Sequence, residues 1–102
     1  MFTIYKYEIE PRENEPNIIM MPAGASIASA GVDGMGALCI WALVDTTAKK
    51  EERRLWCMGT GWDFSELITP EDSRKDLRGR QLNFIGTVRQ GFYMWHVLEE
   101  IL

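Results

Sequence analysis

Few side chains in this sequence could do chemistry, and their spacing limits what that chemistry could be. The lone histidine, His96, stands in Tyr93-Met94-Trp95-His96-Val97. A general base needs a nucleophile or carboxylate within hydrogen-bond reach and an open cleft. No Ser or Cys motif surrounds His96, and on a strand between Trp95 and Val97 it reads as a half-buried ring satisfied by backbone. Cys57 lies between Trp56 and Met58, and Cys39 lies inside the apolar run 37–44. Apolar flanks oppose the lowered thiol pKa that reactivity requires, so both read as small core residues. Two cysteines, one histidine and no C-x-x-C spacing cannot assemble an ordinary structural zinc site from one chain. The carboxylate pairs Glu13/Glu15, Glu51/Glu52 and Glu99/Glu100 fall in turns or near a terminus, where such groups are normally solvated. The expectation is no catalytic residue, no metal and no cofactor.

Gly59-Thr60-Gly61-Trp62-Asp63-Phe64 is the richer segment. Two glycines let backbone N–H groups approach an anion, while Trp62 and Phe64 offer faces to a planar base. Arg53 or Arg54 would then partner a phosphate, with Trp62 as the stacking platform. Arg53, Arg54, Gly59, Thr60, Gly61, Trp62 and Phe64 are thus the candidate residues for a nucleotide ligand. The segment matches neither the phosphate-loop motif, which needs Gly-Lys-Ser/Thr, nor a dinucleotide fingerprint, which precedes a helix. A competing reading is a bulged strand end with an aromatic ring packed under it.

The elements that must position these residues read mostly as strands. Residues 3–10 alternate, with Tyr5, Tyr7 and Ile9 on one face and Lys6, Glu8 and Glu10 on the other. Pro11 ends that strand, and residues 12–17 form a charged turn. Residues 17–21 are a short apolar strand closed by Pro22 and Gly24. Residues 25–32 are β-compatible, and Asp33-Gly34 predicts a hairpin into 35–44. That run is apolar on both parities, which predicts a central strand covered on both sides. Residues 45–53 read as an exposed connection before a strand over 54–62. Thr69 as N-cap, Pro70 at the first helical position and Gly79 at the stop predict one short helix over 70–78. Strands over 82–89 and 92–98 join at Gln90-Gly91.

The expected fold is mostly β: a small antiparallel barrel or compact sandwich of about six or seven strands with one short helix. Trp41, Trp56, Phe84, Phe92 and Trp95 are candidates for its core. At 102 residues the chain holds a single domain, and no apolar run approaches the ~20 residues needed to span a bilayer. The start Met1-Phe2-Thr3-Ile4-Tyr5-Lys6 has neither the basic nor the apolar stretch of a signal peptide, which predicts cytoplasmic, reduced thiols. The net charge is −4. Residues 1–45 carry two basic against six acidic residues, an imbalance that argues against a binder of duplex nucleic acid. Eleven per cent aromatic residues exceed what one small sheet hides, which predicts a twofold dimer. Its expected contact is Tyr93, Trp95 and Val97, with Ile101 and Leu102 alongside.

Six segments come in a distinctive order. They are Lys6-Tyr7-Glu8-Ile9, Met21-Pro22-Ala23-Gly24-Ala25-Ser26-Ile27, Leu38-Cys39-Ile40-Trp41-Ala42-Leu43-Val44-Asp45, Met58-Gly59-Thr60-Gly61, Phe84-Ile85-Gly86-Thr87-Val88 and Trp95-His96-Val97. The chain resembles a family of small proteins of tailed bacteriophages described only as a domain of unknown function. Residues 63–81 look longer than the usual connection there, so a function particular to this member could reside in them. The resemblance brings no site residues. It implies a non-enzymatic protein acting in the host cytoplasm on a host protein, such as an inhibitor of a bacterial defence system. Two alternatives are a module that sequesters a signalling nucleotide and a virion or assembly component.

Overall fold

A computed structural model describes residues 1–65 and 81–101. These residues form seven strands in order: β1 (Phe2–Glu8), β2 (Asn17–Pro22), β3 (Ser26–Val32), β4 (Leu38–Asp45), β5 (Lys50–Gly59), β6 (Gln81–Gln90) and β7 (Tyr93–Ile101). They form two antiparallel sheets, β1-β4-β3 and β2-β5-β7-β6. Among the described residues the fold is therefore an all-β sandwich rather than a closed barrel. β3 runs beside β6 without joining its ladder, while β1 and β2 remain edge strands among the described residues. The helix expected over 70–78 lies outside the described residues.

The apolar pattern dictates how the sheets face each other. Leu38, Ile40, Ala42 and Val44 point inward from β4, and Leu55, Cys57, Trp95 and Val97 meet them from β5 and β7. The opposite parity of β5 places Trp56 and Met58 on the outer face, where they cluster with Leu82 and Leu98. Bulges between Ile27 and Ser29 and between Phe84 and Gly86 bend the neighbouring strands β3 and β6. Asn17 is buried because its side chain accepts from Glu10 N–H and donates to the Glu10 and Leu55 carbonyls, fastening the β1–β2 turn.

Four expectations need correction. The charged run 50–53 is not a loop but the first part of β5, in register with β2. Pairing with β2 and the cross-strand Arg53–Glu99 ion pair override its weak strand propensity. β4 is central in its sheet, yet only its inner face is fully covered, since Leu43 is exposed on the other. Phe84 and Phe92 are exposed rather than core, Phe92 completely so at 100% because it sits in the β6–β7 turn. Trp95 and Val97 face the inter-sheet core, so the proposed dimer contact chose the inward parity of β7. Of its other members, Tyr93 and Ile101 are exposed at the strand ends, and Leu102 lies outside the described residues.

The Asp33-Gly34 turn forms as expected. Asp33 accepts from the Met35 and Ala37 amides, both at 2.9 Å, and from Lys6 Nζ at 2.7 Å. The Lys6 hydrogen bond, followed by that from Ala37, holds its carboxyl at about 2 against an ordinary 3.8. Because the folded value lies below the unfolded one, this stabilisation is complete above the unfolded pKa and disappears as pH falls towards 2. Acid titration by circular dichroism should therefore show a loss of stability over that window that Asp33→Asn removes.

Candidate functional site

β5 ends in a turn where Trp62 N–H donates to the Gly59 carbonyl at 3.1 Å and Gly61 takes φ +85°. A Cβ on Gly59 would lie 2.8 Å from the Trp62 indole, so glycine lets the ring approach the strand end closely. Trp62 then meets Trp95 edge-to-face at 5.5 Å, and Tyr93 stacks on Trp95 at 5.4 Å with 14° between planes. Trp95 Nε1–H donates to Gln90 Oε1, while Gln90 Nε2 donates to Gly36 carbonyl. One glutamine thus ties the β6–β7 hairpin to the β3–β4 hairpin. Gly59, Thr60, Trp62 and the 92–95 run line an open aromatic cleft of about 410 Å³.

The same end carries an unusual amount of exposed apolar surface. Phe92 and Met35, at the two neighbouring hairpin tips, are 100% and 92% exposed, and Tyr93 is 64% exposed. Met94 adds a fourth exposed side chain. Tyr93 is held by the Trp95 ring beneath it, whereas Phe92 projects freely from the turn.

The nucleotide candidates are not all brought together. Gly59, Thr60 and Trp62 line the aromatic cleft, while Gly61 and Phe64 join Met58, Thr60, Phe84, His96 and Leu98 around an adjoining apolar hollow of about 320 Å³. Arg53 lies six residues back along β5, roughly 20 Å at strand rise. It forms a two-pronged ion pair with Glu99 and donates to the Ala25 carbonyl. Arg54 pairs with Glu52 at 2.8 Å. Neither arginine is placed to meet a phosphate at the glycine turn, because both charges are committed to carboxylates of the sheet.

His96 sits between two hydroxyls, Thr60 Oγ1 on Nε2 at 2.6 Å and Thr87 Oγ1 on Nδ1 at 3.0 Å. Its satisfaction comes from side chains on β6 and the β5 turn rather than from backbone. Among the described residues, no cluster of three His, Cys, Asp or Glu could hold a metal ion. Burial pushes the Cys57 thiol up to about 12, and Cys39 is raised chiefly by burial as well. Both thiols are expected to resist iodoacetamide at neutral pH and to react once denaturant opens the core, as read by intact-mass spectrometry.

A family model for a domain of unknown function, DUF7352, matches residues 1–102. The chain belongs to that family. No curated protein and no solved structure matches it. Three residues of this chain have a structural account: Gly59 by Trp62, Asp33 by its turn, and Gln90 by the hairpin bridge. Sequence reasoning assigned Phe92 to the core and gave Met35 no role. The signal that could have found them is their position at turns, where an apolar side chain has no sheet face to join.

Proposed function

We propose that this DUF7352 chain is a non-catalytic protein-binding module that seats a partner on its aromatic end. The observation that carries the reading is the fully exposed Phe92 beside Tyr93, itself stacked on a core-anchored Trp95. Rigid aromatic side chains on a fixed scaffold, with adaptable methionines around them, are the composition of interface hot spots. The resemblance to tailed-phage proteins supports a host protein in the host cytoplasm as the partner, with inhibition of a defence system as the corresponding activity. Among the described residues no Lys or Arg lines the cleft, which favours a protein over a nucleotide.

Capture from host lysate tests this. The chain is expected to retain one stoichiometric protein, which a Phe92→Ala/Tyr93→Ala variant of unchanged circular dichroism loses. Equal retention by both proteins, or no stoichiometric partner, contradicts the reading. A nucleotide that raises the melting temperature would move the assignment to the sequestering alternative.

A further inference from the structure

The open edge of β1 has the properties of a self-pairing strand. Ile9 N–H donates to Leu38 carbonyl, and Thr46 N–H donates to Met1 carbonyl, on the same register that pairs Phe2 with Asp45. In an antiparallel ladder the hydrogen-bonded positions alternate, so residues 1, 3, 5, 7 and 9 turn their backbone groups towards β4. The N–H and C=O groups of Phe2, Ile4, Lys6 and Glu8 consequently point to the edge, where no described segment pairs with them.

Proteins usually blunt such an edge with proline, a bulge or an outward lysine. β1 contains no proline, and its pairing with β4 runs without a break. Its one lysine is drawn away to Asp33 at 2.7 Å. The other edge strand, β2, is shorter and ends in Pro22. Phe2 and Ile4, at 76% and 60% exposed, leave apolar surface beside the open edge of β1, next to the exposed Leu43 of β4.

We infer that β1 pairs antiparallel with β1 of a second copy, joining two three-stranded sheets into one six-stranded sheet across a twofold axis. The partner is a second copy because the strand is complementary to itself. Full overlap centres the axis on Tyr5 and sets Tyr5 against Tyr5, Ile4 against Lys6 and Phe2 against Glu8 of the second copy. All four residues with outward backbone groups then find partners, and no like charges stand opposite each other. Isologous closure of this kind also removes the free edge.

Sedimentation equilibrium on the full chain decides the matter. The expected mass at micromolar concentration is twice 11.7 kDa. Ile4→Pro removes only an outward N–H and is expected to fold as a monomer. Two further variants test the register even if the proline variant fails to fold. Ile4→Lys, placed against Lys6 of the second copy at two symmetric positions, is expected to weaken the dimer about tenfold. Ile4→Glu at the same site should preserve it. A concentration-independent monomer overturns the inference. So does a dimer that survives in folded Ile4→Pro, or one that responds equally to Lys and Glu.

Discussion

Replacing Trp95 with alanine is expected to lower the unfolding free energy by about 3–5 kcal/mol in urea titrations. Trp95 is only 8% exposed, belongs to the inter-sheet core and touches both Trp62 and Tyr93. Truncation leaves a cavity that strands fixed by ladders on both sides cannot close. It also leaves Gln90 Oε1 without the indole donor that fixes the side chain whose Nε2 bridges to Gly36 of the other hairpin. For a domain whose whole stability is about 5–15 kcal/mol, this is a large fraction. Tyr93→Ala, two residues away on the same face but 64% exposed, should change stability by less than about 1 kcal/mol. Similar losses for the two variants would contradict the placement of Trp95 as anchor and Tyr93 as contact.

Glu99→Ala is expected to destabilise by about 2–3 kcal/mol, because it leaves a partly buried guanidinium with only Glu51 at 3.7 Å and the Ala25 carbonyl. Glu99 is buried, and the Arg53 side chain is only 15% exposed between it and the Ala25 carbonyl. Taking both charges out of water is costly, and their contact with each other offsets that cost only while both are present. The double variant Arg53→Met/Glu99→Leu should therefore recover most of the loss, since apolar groups of similar size need no partner. A double variant as unstable as the two single losses added together would contradict this coupling.

The sequence made the turns and inward faces legible where one physical signal dominated. Asp33-Gly34 marks its hairpin, Pro22-Gly24 ends β2, and the even positions of β4 form the core. It was less informative where two signals competed. Lys50 to Arg53 reads as a solvated connection until β2 and Glu99 supply partners distant in sequence. β7 has apolar residues on both parities, so its inward face is set only when Trp62 and the opposing sheet meet Trp95. The glycine turn raised a phosphate-binding expectation because close backbone approach is what glycine permits. Here the approaching group is the Trp62 ring. The aromatic end as a surface depends on two hairpin tips brought side by side by Gln90, a contact 54 residues apart in the chain.

The most direct test of the proposed binding end is titration calorimetry of the wild-type chain, Phe92→Ala and Tyr93→Ala against the protein that capture from lysate is expected to return. The expected result is a loss of roughly 30-fold or more in at least one variant, with its urea stability near wild type. Wild-type affinity in both folded variants would contradict the claim that this end of the sandwich is the functional surface.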